Sequence, residues 1–187
     1  KRQVKIEEHY DRPMDIEWAL DGESGELFIV QARPETVQSQ VAASTLKTAR
    51  LLEEDPHLIL EGQAIGGSIA SGEVAILNSL VDGADFQEGQ ILVASMTDPD
   101  WVPLMKKAAG IITDHGGRTS HAAIVSRELG VPAVIGTADA TTELYQGQEV
   151  TLSCAEGEDG KVYRGLLDFE EQEVSLENIP KTKTKVM

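Results

Sequence analysis

One short stretch of the chain brings together the residue types that phosphate chemistry needs: GGRTSHAAI, from Gly116 to Ile124. Gly116 and Gly117 allow the backbone to approach a ligand closely, while Thr119 and Ser120 offer hydroxyl groups and a helix cap. His121 follows directly, and the two alanines after it leave space around its ring. This pattern indicates a histidine that works next to a bound group.

The elements around this stretch place the histidine at the start of a helix. A buried strand is predicted from Ala109 to Asp114, and a helix from near His121 to Gly130. The first helical turn carries about half a positive charge, which stabilises a bound anion such as a phosphoryl group. Because the same field disfavours the imidazolium, we expect His121 to be neutral and nucleophilic near pH 7. Such a histidine can accept a phosphoryl group and pass it on.

The same residues allow other interpretations. A single histidine at a helix start is commonly a capping or surface residue. Ser120 and His121 are adjacent and point in different directions, so they make a poor nucleophile and base pair. His115 and His121 together would give only two ligands, which is too few for a zinc site.

Composition restricts the class of protein. The 187 residues include 32 acidic and 16 basic ones, a net charge of −16 that would repel nucleic acid. The single cysteine, Cys154, excludes an internal disulfide. No apolar run approaches the roughly 20 residues of a membrane-spanning helix, and the first residues do not resemble a signal peptide. We therefore expect a cytoplasmic protein without nucleic-acid or membrane partners.

Strand-like and helix-like segments alternate over residues 62–168, which predicts an α/β fold with helices packed on a sheet. Residues 37–61 and 169–187 are more polar and weakly patterned, the first of them weakly helical, and are predicted to be linkers. Before them, residues 14–34 contain two apolar runs around a turn from Gly22 to Glu26. As a hairpin with a five-residue loop, this segment pairs Leu20 with Phe28 and Glu17 with Gln31.

The run TDHGGRTSHAAIVSRELGVPAVIGT, residues 113–137, resembles the phosphohistidine signature of the PEP-utilising enzymes. Similarity continues through MTDPDWVPLMKKA and VTLSCAEGEDGKVY. The resemblance implies a swivelling β/β/α phosphohistidine domain over residues 62–168, in which His121 carries the phosphoryl group. Five residues of the preceding loop would support that group: Gly116, Gly117, Arg118, Thr119 and Ser120.

The hairpin resembles the last strands of the ATP-grasp nucleotide domain in the same enzymes. By this resemblance Glu17 and Gln31 bind Mg²⁺, and Arg33 contacts nucleotide phosphates. Residues 1–36 would be the end of that domain. Residues 37–61 would link it to the carrier domain, and residues 169–187 would lead to a pyruvate-binding barrel.

The resemblance also implies a reaction and partners. It is closest to the branch in which ATP, pyruvate and water give AMP, phosphoenolpyruvate and phosphate. Thr119 matches the position at which an ADP-dependent regulatory kinase acts, and the full-length enzyme would be a homo-oligomer; the chain alone would be inactive. Alternatives are pyruvate, phosphate dikinase, the histidine-carrying enzyme of the sugar phosphotransferase system, and a non-catalytic swivelling domain that binds a partner surface.

Overall fold

A computed structural model describes residues 5–6, 9–11, 14–34 and 45–175 of the chain. The chain divides into two compact units, Lys1–Val41 and Ala42–Met187.

In the first unit, β1 (Met14–Leu20) and β2 (Leu27–Pro34) form an antiparallel hairpin. Its turn has six residues and is closed by the amide of Asp21, which donates to the carbonyl of Glu26 at 2.9 Å. The predicted pairing of Leu20 with Phe28 is therefore wrong, because Leu20 faces Leu27. A bulge after Glu17 then absorbs one extra residue of β2, so the predicted pairing of Glu17 with Gln31 is confirmed.

The second unit is built on a closed seven-stranded barrel. Its strands follow one another around the barrel in the order β10-β4-β8-β7-β6-β5-β9. The neighbours β5 to β8 run parallel and the other pairs run antiparallel. The strands are β4 (Leu58–Ile65), β5 (Ile69–Ile76), β6 (Ile91–Ala94), β7 (Gly110–Thr113), β8 (Ala133–Ile135), β9 (Glu149–Ser153) and β10 (Asp159–Arg164).

Two short helices connect parallel strands, α1 (Val102–Met105) between β6 and β7 and α2 (His121–Leu129) between β7 and β8. A third, α3 (Ala140–Glu143), lies between β8 and β9. Two 3₁₀ turns occupy Leu80–Asp85 and Pro99–Trp101. Asp98 caps the second of these by accepting the amide of Asp100 at 2.9 Å. The predicted α/β class of this unit is confirmed.

The parallel strands β6, β7 and β8 are buried on both faces, which explains their nearly continuous apolar sequences. Along β6, Ile91 and Val93 pack into one core cluster, whereas Leu92 and Ala94 pack into the other. The second of these clusters also takes Ala122 and Val125 of α2. Because side chains alternate along a strand, β6 contributes residues both to the barrel interior and to the face covered by α2.

The segments predicted as linkers contain strands. β3 (Thr45–Leu51) pairs antiparallel with β11 (Phe169–Ser175) in a two-stranded ribbon. The weakly helical character expected of residues 37–61 is wrong where the structure describes that range, because β3 and the start of β4 are extended. Residues 37–44 lie outside the described residues. Local sequence favoured no element strongly there, and pairing with a distant strand decides the backbone. None of the described helices has the length and apolar character needed to cross a membrane.

Candidate phosphohistidine site

The candidate site lies at the carboxyl ends of the parallel strands, where loops after neighbouring strands meet. The loop after β7 leads into α2, whose first residue is His121. The loop after β6, the neighbour of β7, contains Thr97. The hydroxyl of Thr97 lies 3.0 Å from Nδ1 of His121, and both side chains are partly buried. The ring is thus held at one nitrogen while it stays at the surface.

Thr97 is the residue of the site that sequence reasoning missed. It stands 24 positions before His121, and only the parallel pairing of β6 with β7 brings the two together. The one available signal was that Thr97 lies in a loop that follows a buried strand, as the GGRTSH loop follows β7. Carboxyl ends of adjacent parallel strands share an edge, so both loops were candidates for one site.

The limits of α2 confirm the predicted helix. Ser120 is the N-cap, with its Oγ accepting the amide of Ala123 at 3.4 Å, and Gly130 ends the helix with φ +71°. Thr119 lies one position before the cap, so the expectation that Thr119 caps the helix is not met. His121 therefore stands at the positive end of a nine-residue helix.

Gly116 is required by the shape of the loop. Its φ is +122°, and a Cβ there would come within 2.9 Å of Oγ of Ser120 and 3.0 Å of a methyl group of Ile135. Only glycine adopts this backbone without strain. The tight turn continues to the helix, because the amide of Ser120 donates to the carbonyl of Gly117 at 2.9 Å.

Arg118 and Thr119 form the exposed tip of this turn. The guanidinium of Arg118 lies 3.2 Å from the carboxylate of Glu158. Its carbonyl accepts a hydrogen bond of 2.7 Å from the guanidinium of Arg127, so Arg127 anchors the turn. The backbone of Arg118 is thus fixed, while its side chain is half exposed in a pair that contributes little to stability.

The residues predicted to bind Mg²⁺ and nucleotide lie on the hairpin. Glu17 and Gln31 are cross-strand neighbours with exposed side chains, and the backbone of Arg33 pairs with that of Asp15. Within the described residues, no three His, Cys, Asp or Glu side chains group as metal ligands. Two oxygen donors fit Mg²⁺ when substrate phosphates and water complete its shell. The pair therefore fits a shared ion, and the ligand assignment stays a prediction.

A polar cluster on the barrel wall has perturbed ionisation. Glu156 accepts hydrogen bonds from Lys161 at 2.8 Å and from the Tyr163 hydroxyl at 3.0 Å. Burial alone would raise the pKa of Glu156, but these hydrogen bonds outweigh it and hold the pKa below its ordinary value. Nearby in sequence, burial raises the pKa of the Cys154 thiol to about 11.

Two family models match parts of this chain. Residues 86–157 match the family described as PEP-utilising enzyme, mobile domain, and residues 1–53 match pyruvate phosphate dikinase, AMP/ATP-binding domain. Phosphoenolpyruvate synthase of Aquifex aeolicus (strain VF5) is 54% identical over 98% of this chain, and that of Escherichia coli (strain K12) is 51% identical over 100%.

The aligned stretch is 23% of each of these two relatives, so the chain spans about a quarter of their length. The phosphoenolpyruvate synthase of Helicobacter pylori (strain ATCC 700392 / 26695) gives the same picture, with 53% identity over 100% of the chain and 24% of the relative. The chain therefore belongs to the PEP-utilising enzymes, and over its whole length it is similar to a stretch of the phosphoenolpyruvate synthases.

Proposed function

We propose that this chain is the phosphoryl-carrier part of a phosphoenolpyruvate synthase, in which His121 takes a phosphoryl group from ATP and delivers it to pyruvate. The observation that carries the proposal is the position of His121. Its ring stands at the positive end of α2, partly exposed, with Nδ1 held 3.0 Å from Thr97. A histidine that only capped the helix would not need this second contact.

In this proposal the hydroxyl of Thr97 accepts a hydrogen bond from Nδ1 of His121, and the contact thereby selects the reactive nitrogen. When Nδ1–H donates to Oγ1 of Thr97, the lone pair of the neutral imidazole is on Nε2, which becomes the nucleophile. Nε2 attacks the β-phosphorus, a P–N bond forms and the P–O bond to the departing AMP breaks. Water then attacks the γ-phosphorus, the bond from the γ-phosphorus to the oxygen that bridges the two phosphorus atoms breaks, and phosphate leaves, so that one phosphoryl group stays on Nε2. In the second half-reaction the enolate oxygen of pyruvate attacks the same phosphorus and the P–N bond breaks, which restores the lone pair.

The surroundings of the His121 ring favour the negative charge of the transferred phosphoryl group. The helix end favours the phosphoryl oxygens, and the fixed loop from Gly116 to Ser120 brings backbone close to them. The Arg118 side chain can pair with phosphoryl oxygens as a bidentate donor once it leaves Glu158. Thr119 is exposed at the tip of the same turn, in keeping with its proposed role as the target of an ADP-dependent regulatory kinase.

The hairpin contributes to the nucleotide site in this proposal. Glu17 and Gln31 would hold Mg²⁺, which supplies positive charge to the phosphates of ATP, and Arg33 would contact those phosphates. The relatives are about four times longer than the aligned stretch, so the pyruvate site and most of the nucleotide site would lie outside this chain. On its own the chain should therefore not convert ATP and pyruvate to products. The full-length enzyme, by the same resemblance, would be a homo-oligomer.

A chimera tests the proposal. This chain replaces the matching stretch of the Escherichia coli relative, to which it is 51% identical, and formation of AMP and phosphoenolpyruvate from ATP and pyruvate is measured. We expect turnover in the chimera, none with His121→Ala, and full turnover with the control His57→Ala, an exposed histidine outside the site. A non-catalytic swivelling domain would give no difference between the two variants, and that result would refute the proposal.

A further inference from the structure

A buried carboxylate stands directly before the phosphohistidine loop and has no role so far. Asp114 follows the last residue of β7 and is only 7% exposed. Its Oδ1 accepts the amide of Thr141 at 2.9 Å, and its Oδ2 accepts the hydroxyl of the same residue at 2.6 Å. Both carboxylate oxygens therefore accept hydrogen bonds from one residue at the start of α3.

The backbone of Asp114 connects the same region to two more loops. Its amide donates to the carbonyl of Ala94 at the end of β6, and its carbonyl accepts the amide of Ala138 after β8. The next residue, His115, donates its amide to the carbonyl of Ser95 at 3.0 Å. The loops after β6, β7 and β8 therefore meet at Asp114, and the first two of them carry Thr97 and His121.

The loop after β8 also touches the phosphohistidine loop directly. A Cβ on Gly136 would come within 2.9 Å of the carbonyl oxygen of Gly116. The two backbones are in close contact at this point. The Asp114–Thr141 pair joins the same two segments, two residues before Gly116 and five residues after Gly136. Burying a carboxylate costs free energy that an apolar side chain would not, so its hydrogen bonds must repay a loss of solvation. Such a buried polar pair fixes one loop arrangement among several that apolar packing would allow.

We infer that the Asp114–Thr141 pair is a positioning device for phosphoryl transfer: it holds the His121 loop against the Thr97 loop so that Nδ1 of His121 stays on Thr97. The inference rests on the proposed function of His121. Neither residue touches the phosphoryl group. Their effect reaches the reaction through the tautomer of the ring, and this separates a positioning role from a contribution to stability alone.

Substitutions at Thr141 test the hydrogen bonds to Asp114 while changing the side-chain volume little. Thr141→Val removes the hydroxyl bond, whereas Thr141→Ser keeps it. The matched control is Thr142→Val, because the neighbouring Thr142 is exposed and its hydroxyl donates to the carbonyl of Asp139. Phosphoramidate, which phosphorylates imidazole and releases ammonia, serves as a donor for the chain alone. His57, exposed in the same unit, provides the internal reference for the reagent.

Two quantities are measured for each folded variant: the rate of His121 labelling relative to His57, and the ring ¹⁵N shifts of His121. For Thr141→Val we expect labelling of His121 to fall about two- to tenfold, the range that one hydrogen bond of ordinary strength carries. The ring shifts should move towards a mixture of tautomers. Thr141→Ser and Thr142→Val should match the unsubstituted chain in both quantities.

Substitutions of Asp114 distinguish the effect of its hydrogen bonds to Thr141 from the effect of its negative charge. Asp114→Asn keeps an oxygen for the Thr141 amide and gains an amide donor for its hydroxyl, so the tie survives and labelling should stay within about twofold of the parent. Asp114→Ala loses both bonds and should be affected at least as strongly as Thr141→Val. This pair also decides the matter if Thr141→Val does not fold.

The two levels of the account fail in different ways. If the unsubstituted chain is not labelled on His121 above His57, the proposed function is at fault. If His121 is labelled but Thr141→Val leaves labelling and ring shifts unchanged, the positioning role is overturned. It is equally overturned if Asp114→Asn lowers the labelling of His121 as far as Asp114→Ala does. The cause would then be the loss of the negative charge and not the loss of the hydrogen bonds to Thr141.

Discussion

Replacing Thr97 by valine should weaken the nucleophile without disturbing the fold. Valine has nearly the shape of threonine but lacks the oxygen that lies 3.0 Å from Nδ1 of His121. A partly buried hydrogen bond contributes about 1 kcal/mol, which corresponds to about a fivefold change in an equilibrium between tautomers. Since only the tautomer with hydrogen on Nδ1 presents a lone pair at Nε2, phosphorylation of His121 should slow by up to about that factor.

The assay measures phosphoramidate labelling of His121 relative to His57, together with the ring ¹⁵N shifts and the melting temperature. Thr97→Ser restores the hydroxyl and should recover the rate. Thr97→Val should slow labelling and shift the ring signals while the melting temperature changes little, because Thr97 stands in a loop. Labelling of Thr97→Val at the parental rate, with unchanged ring shifts, would show that Nδ1 is not held by Thr97 in the reactive state.

Three further predictions concern the loop, the thiol and the acidic cluster. Gly116→Ala should lower the free energy of unfolding by roughly 1–3 kcal/mol, and by more than the control Gly147→Ala, where φ is +77° but no atom lies within 4 Å of an added Cβ; equal losses in urea titrations would refute the steric argument. Cys154, buried and with its pKa raised to about 11, should resist thiol reagents at pH 8 until the chain unfolds, and rapid reaction under native conditions would contradict the burial. Glu156→Gln should lower the melting temperature most near neutral pH. Because the folded-state pKa of Glu156 is lowered, its stabilisation is complete above the ordinary value near 4.5 and is lost as pH falls through the folded value. The control Glu158→Gln, 83% exposed, should show little effect at any pH, and a pH-independent loss in Glu156→Gln would contradict the assignment.

Features fixed by neighbouring residues were predictable from the sequence. The limits of α2 follow from apolar positions at helical spacing and from Gly130, whose φ of +71° suits a helix end. The cap at Asp98 is equally local. The register of Glu17 with Gln31 was predicted, although the assumed five-residue loop was wrong and a bulge restored the pairing.

Features fixed by distant pairing could not be predicted in the same way. β3 mixes residues that favour helices with threonines that favour strands. Its partner β11 lies more than a hundred positions away, as the contact of Thr48 with Gln172 across 124 positions shows. The Thr97 contact depends on which strand lies beside β7, and closure of the barrel depends on the whole strand order. Periodicity identifies strands, but it does not rank their possible neighbours.

The site shows the same division. The glycine-rich loop, the helix start and His121 are continuous in sequence, so their chemistry could be inferred from residue types. Asp114 and Thr141 are 27 positions apart and meet only because the loops after β7 and β8 share one end of the barrel. The residues that carry the reaction were therefore accessible from sequence, and those that hold them in place required the structure.

The central claim is that a phosphoryl group from ATP resides on His121. The most direct measurement supplies the chimera with ATP labelled at the β-phosphorus, omits pyruvate, and maps the labelled peptide. The account predicts an acid-labile, base-stable label on the peptide that contains His121, absent in His121→Ala and released as phosphoenolpyruvate when pyruvate is added. A label that survives His121→Ala, or that maps to another residue, would contradict it.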